Sequence, residues 1–170
     1  MALSNNPKVA IVKTSFDKVL EGLVVVSYIF LWGILFRYYG ELPKHIPTPI
    51  NVFNTDSYNH KNILVLITVI STLLAAGIFY LNSKPYLYSY PVTVTHKNAP
   101  KVYGGFTKFT RFLTLGLSLV SSAMIIRVVN SLNYKNSSLN NWMIVVFILV
   151  IMIPVIFLSI KSYLKTKKTM

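Results

Sequence analysis

Four apolar runs dominate the chain, at residues 19–36, 63–81, 112–132 and 142–160, and charged residues nearly vanish inside them. A hydrocarbon core of about 30 Å takes about 20 apolar residues to cross as a helix. No run alternates with the period of a strand, and each is far longer than a usual strand. The pattern predicts an all-α integral membrane four-helix bundle, one domain over 1–170, with short loops. The fourth run is the most apolar, with 14 Ile, Val, Leu or Phe residues between Trp142 and Ile160. These contribute roughly −4 to −8 kcal/mol to insertion as an upper bound. Pro154 within that run reads as a tolerated kink.

Basic residues set the expected orientation. Lys8, Lys13 and Lys18 precede the first run, and Lys84, Lys97, Lys101, Lys108 and Arg111 lie between the second and third. Lys161, Lys165, Lys167 and Lys168 follow the fourth, while the other two loops carry fewer cations. By the positive-inside rule both termini and the basic loop 83–108 face the cytoplasm, and the Pro-rich loop 38–62 faces outward from the cell (inner) membrane. The first run is too long, and its end too bulky, for a cleaved secretory signal. Trp32, Tyr38, Tyr39 and Trp142 fall at the outer boundary, and Tyr80, Tyr86, Tyr88, Tyr90 and Tyr163 towards the inner one, as interfacial rings do.

Composition agrees with this picture. Of 170 residues, 54% are hydrophobic and 12% charged, against about 25% charged in an ordinary soluble domain. Mean hydropathy is +0.56. A net charge of +13 suits nucleic acid when it forms one folded basic face. Here it is divided among three membrane-flanking clusters, which suits a bilayer with anionic headgroups instead. Lys97, Lys101, Lys108 and Arg111 are the expected lipid contacts, and no nucleic-acid partner is expected. Cysteine is absent, which excludes disulfides and thiolate chemistry. His45, Asp56 and His60 share the outer loop without a compact ligand spacing. Four acids spread over the chain assemble neither a carboxylate pair nor a triad, and Gly104-Gly105 is a turn rather than a nucleotide loop. No catalytic, cofactor or metal site is expected, and the protein reads as a non-enzyme.

Small residues predict the packing. Ser71 and Ala75, Thr72 and Ala76, and Ser118 and Ser122 recur at i, i+4, a spacing that lets helices approach closely in lipid. The second and third spans are therefore expected to form the tight centre, with the fourth facing lipid. Glu21, near the start of the first span, lies within reach of Lys13 or Lys18. Arg127 is placed either to snorkel to the interface or to pair with Glu41 or Asp56.

The loop 38–62 is the most distinctive stretch. Pro43, Pro47 and Pro49 disfavour helix and stiffen an extended chain, and long rigid loops are commonly functional. Tyr38 or Tyr39, Leu42, Pro43, Ile46, Pro47, Asn51, Asp56 and Lys61 follow the order of a motif in the bacterial membrane family called domain of unknown function 1648, which this stretch resembles. Pro49 stands where that family has His, Ile50 where it has Phe, and Asn54 near its Gly. A second stretch, Pro85-Tyr86-Leu87-Tyr88-Ser89-Tyr90-Pro91-Val92 followed by Thr95, Asn98-Ala99 and Tyr103, is similar to the central loop of short members. The resemblance covers roughly 38–132. It implies a non-enzymatic membrane protein whose domain is shared with Sdp-toxin immunity proteins. It also implies an interaction loop at Leu42, Pro43, Ile46, Pro47, Asn51, Asp56 and Lys61, and a cytoplasmic motif at Tyr90, Pro91, Thr95, Asn98 and Tyr103.

Residues 86–95 alternate aromatic or β-branched positions with others, which predicts an extended run along the inner surface. Asn98, with Pro100 in the first turn, predicts a helix start that continues through Gly104-Gly105 into the third span. Three functions fit: an interaction, sensing or immunity-type protein that binds another membrane protein or an extracytoplasmic peptide; a small transporter or channel subunit acting as a homo-oligomer; or a membrane assembly factor. The first is preferred, because no carboxylate or His lies at mid-membrane to couple transport. Many Lys, Asn and Ile suggest a bacterium with an AT-rich genome.

Overall fold

The computed structural model describes residues 6–47, 58–90 and 92–133. The fourth run at 142–160 lies outside the described residues, as do Asn51, Asp56 and Pro91. Three long helices are described: α1 (Ser15–Tyr39), α2 (Asn62–Ser83) and α3 (Ala99–Asn133). Each is long and apolar enough to cross a membrane. A short antiparallel ribbon of β1 (His45–Pro47) and β2 (Tyr58–His60) joins α1 to α2, with His45 opposite His60 and Ile46 opposite Asn59. A single 3-10 turn at Pro85–Leu87 follows α2. One end of the bundle thus carries the hairpin. The other, the basic end, gathers the start of α1, the end of α2 and the start of α3.

Local chemistry fixes the helix starts. Thr14 caps α1: its hydroxyl accepts from the Asp17 amide, and the Asp17 carboxylate accepts from the Thr14 amide at 2.8 Å. This is a capping box with Asp in place of the usual Glu. The start of α3 differs from the expected Asn98 cap. The Thr95 amide donates to Asn98 Oδ1 at 2.8 Å, and the Asn98 amide faces Thr95 Oγ1 at 3.4 Å. The Thr95 carbonyl accepts from Ala99. Thr95 therefore acts as the cap and Asn98 as its reciprocating third residue. The helix does run unbroken through Gly104-Gly105, as expected. At about 1.5 Å per residue it is roughly 50 Å long, well beyond a hydrocarbon core. The extended run expected over 86–95 forms no described strand.

Each helix buries one stripe. On α1 it is Asp17, Leu20, Val24, Ser27, Leu31 and Leu35; on α2 it is Leu64, Thr68, Ser71 and Ala75. The opposite faces expose Val19, Leu23, Val26, Ile29 and Phe36 on α1, and Leu66, Ile70, Leu73 and Leu74 on α2. Apolar residues all round a helix call for an apolar environment outside the bundle as well as inside.

The interior divides in two. At the hairpin end it is apolar, built from Leu31, Leu35, Leu42, Ile46, Leu64, Ile125, Val128 and Val129. Towards the basic end it is polar, with Thr107, Thr110, Thr114, Ser118, Ser121 and Ser122 all buried on α3. These hydroxyls bond to carbonyls three or four residues back in their own helix. Self-satisfied hydroxyls let the helices close together without stranded donors.

The expected central pair of α2 and α3 is corrected in one respect. The third helix lies between the other two but packs more extensively against α1. Ser118 Oγ lies 2.6 Å from Ser27 Oγ of α1, not against α2. Ala76 and Gly77 face outward, and a side chain added at Gly77 would meet nothing within 4 Å. Small-residue spacing marks a close approach but not its partner. Contact between α1 and α2 is sparse and spanned by long side chains. Tyr28 Oη reaches the Ser71 carbonyl at 3.1 Å, and Trp32 Nε1 donates to Thr72 Oγ1 at 3.1 Å. Trp32 is thereby an interhelical bridge.

Candidate functional site

Two polar constructions stand out, one at each end of the bundle. At the hairpin end Ile46 is fully buried and Leu42 nearly so, both in the apolar core. Leu42 precedes Pro43, a position that disfavours helix, so α1 stops there and the chain turns across the end of the bundle. Lys61 then ties the return strand down. Its ammonium donates to the carbonyls of Tyr39 and Leu42, both at 3.1 Å, and lies 4.5 Å from the Tyr39 ring centre. A cation at those free carbonyls also complements the negative end of the α1 dipole. The Lys61 amide donates to the Lys44 carbonyl at 2.9 Å, extending the ladder by one rung, and Tyr39 Oη donates to Asn62 Oδ1 at 2.6 Å.

The motif residues of the loop 38–62 thus separate by role. Leu42, Ile46 and Lys61 anchor the ribbon, and Pro43 is exposed beside them. Pro47 ends β1 opposite Tyr58. The two exposed imidazoles of His45 and His60 face each other edge-on across the ribbon, 6.1 Å between ring centres. Among the described residues no group of three or more metal-ligating side chains assembles. Glu41 pairs with Arg37 one turn back rather than with Arg127.

The motif of the basic loop is also built into the fold. Tyr90 stacks on Tyr103 and Phe106, with ring centres 5.3 and 5.1 Å away, and donates to the Pro85 carbonyl at 2.7 Å. Burial pushes the Tyr90 phenol well above its ordinary value, and the Tyr88 phenol shifts the same way. Tyr103 is fully buried and donates to the Pro7 carbonyl at 2.9 Å. Thr95 and Asn98 make the α3 cap described above. Asn82 Oδ1, at the end of α2, lies 2.6 Å from Thr110 Oγ1 and accepts from Tyr88 at 3.1 Å, which joins helix, helix and loop.

Arg111 corrects a sequence expectation. Lys97 and Lys101 are exposed and Lys108 half-buried, compatible with headgroup contact. Arg111 is only 4% exposed and turned inward. Its Nε and Nη2 donate to Glu21 Oε1 at 3.0 and 2.8 Å, and its Nη1 approaches Asp17 Oδ1 at 3.4 Å. Lys13, just before the Thr14 cap, completes the cluster at 2.9 Å from Glu21 Oε1. Two cations and two carboxylates balance, which is what makes their burial tolerable. A lone run of basic residues in the sequence carries no sign of this pairing, because the carboxylates stand on another helix. The signal that could have found it is scarcity: of four acids in the chain, two sit one turn apart at the start of an apolar helix.

Compared with protein-family models, curated proteins and solved structures, the chain matches none.

Proposed function

We propose that the chain is a non-enzymatic multi-pass membrane protein that acts by recognition, displaying its outer loop to another membrane protein or an extracytoplasmic peptide. The observation that carries this reading is the anchorage of the ribbon. Buried Ile46 on one strand and the Lys61 clamp beyond the other hold both ends of the 48–57 connection against the helical core. Fixing the residues that flank a binding segment lowers the entropy cost of binding. The basic end, with Lys8, Lys13, Lys18, Lys84, Lys97 and Lys101, faces the cytoplasm in this reading, and the hairpin end faces outward. The resemblance to domain of unknown function 1648 supports an interaction or immunity-type role in a bacterial cell membrane.

The test is photocrosslinking from His45 and His60 in intact membranes, followed by mass spectrometry. Capture of one defined protein or peptide, lost when Lys61→Met releases the ribbon, supports recognition. Capture of lipid alone, or of a second copy of the chain, rejects it in favour of an oligomeric transporter or channel subunit.

A further inference from the structure

At the basic end, the N-terminal segment, α1, the end of α2 and α3 enclose an open cavity of about 380 Å³. That volume lies in the range of small-molecule sites. Its wall includes Lys8, Lys13, Arg111, Asn82, Tyr86 and Asp17, three cations against one carboxylate. Lys8 Nζ lies 5.6 Å from the Tyr86 ring centre. A Lys ammonium has three donors, and Glu21 takes at most two of those on Lys13.

The cavity continues into a narrow seam between α1 and α2, which shares Asn82 and Arg111 with it. Beyond the shared residues the seam is lined by Glu21 and Thr114 at its polar edge and by Val24, Ala75, Ile78 and Phe79. At about 20 Å³ it admits an aliphatic chain along its surface, not within it. Sparse contact between α1 and α2 leaves this seam unfilled. Phe16, Val19 and Leu23 on α1 and Phe79 and Tyr80 on α2 are exposed within two turns of the lining residues Asp17 and Asn82. Cationic donors therefore stand where an apolar belt ends, with an apolar track leading away from them into that belt.

We propose that this groove binds one anionic phospholipid, its phosphate among Lys8, Lys13 and Arg111 and one acyl chain along Val24, Ile78 and Phe79. The site is distinct from the headgroup contacts of Lys97, in the turn before α3, and Lys101, in its first turn, both exposed, and it is independent of the outer-loop recognition proposed above. Asp17 and Glu21 hold the Arg111 guanidinium in place, and against these two carboxylates Lys8, Lys13 and Arg111 leave the groove one net positive charge. An inserted phosphate meets donors already arranged, which favours one bound lipid over a diffuse layer.

The test uses the full chain in a neutral maltoside detergent. Retained lipid is counted by native mass spectrometry and thermal stability is followed. The additions are dioleoyl phosphatidylglycerol, dioleoyl phosphatidylcholine and inorganic phosphate. The expected result is one retained phosphatidylglycerol and a raised Tm, with neither effect from phosphatidylcholine. Each Lys near an anionic surface is worth about fivefold in affinity. Lys8→Gln with Lys13→Gln is thus expected to weaken retention about 25-fold, whereas Lys97→Gln with Lys101→Gln changes it less than about twofold. Ile78→Trp, which fills the track, should lower lipid retention. Equal stabilisation by inorganic phosphate overturns the lipid assignment in favour of a free anion site. Equal loss from both Lys pairs overturns the site itself, because diffuse attraction then explains the binding.

Discussion

Arg111 of α3 holds Glu21 of α1 through two donors, Nε at 3.0 Å and Nη2 at 2.8 Å, across 90 residues of sequence. The pair is the polar counterpart of the apolar core at the far end, and together the two fix the register of α1 against α3. Removing one partner from a buried pair leaves a bare charge. Arg111→Met is therefore expected to lose about 3–5 kcal/mol of stability. The triple change Arg111→Met, Glu21→Gln, Asp17→Asn should lose much less. Denaturant titration in mixed micelles measures both. A triple variant as unstable as the single one would mean that packing, not charge, sets the cost.

The Lys61 clamp makes two bonds from a charged donor to backbone carbonyls, each worth about 1.5–3 kcal/mol. Lys61→Met should accordingly loosen the turn after α1 without disturbing α3. Hydrogen exchange should rise at 41–46 and stay unchanged at 107–122. A rise throughout would show that the ribbon is integral to the bundle core.

Ile46 is fully buried in the apolar cluster, so Ile46→Ala is expected to cost about 2–5 kcal/mol. Pro43→Ala, at an exposed neighbour, should stay within about 1 kcal/mol. Thermal unfolding of both variants checks the difference, and equal losses would contradict the anchoring role given to Ile46.

Burial raises the phenol of Tyr90 in the folded chain above its ordinary value near 10.0. The unfolded chain then releases this proton first as pH rises, so the folded state binds more protons and loses stability. The contribution is whole below about pH 10 and declines above it. Alkaline titration followed by near-ultraviolet dichroism should show the loop loosening there, and Tyr90→Phe should flatten that dependence. It should also lose the bond to the Pro85 carbonyl, about 1 kcal/mol. An unchanged alkaline profile in the variant would assign the transition to another group.

Much of the fold was legible along the chain. Apolar runs place α1, α2 and the apolar part of α3, because a helix that faces apolar surroundings on every side must be apolar on every side. Pro43 keeps the chain after α1 from resuming a helix, and the nearness of Lys13 to Glu21 in sequence allows their contact. The resemblance motifs in both loops pick out residues that turn out to be structural anchors: Leu42, Ile46 and Lys61 at one end, Tyr90, Thr95, Asn98 and Tyr103 at the other. A motif marks that a residue matters without saying whether it holds or binds.

The chain by itself thus determined the three described helices and the crowding of cations at one end, both of which depend on neighbours a few residues away. Tertiary structure alone decided that α3 favours α1 over α2, that Ser118 meets Ser27, and that Arg111 turns inward to Glu21 and Asp17 while Lys97 and Lys101 stay outside. Those outcomes depend on the distance between groups 90 or more residues apart. Hydropathy and spacing carry no record of that distance, and an ion pair between helices exists only where packing brings both charges out of water together.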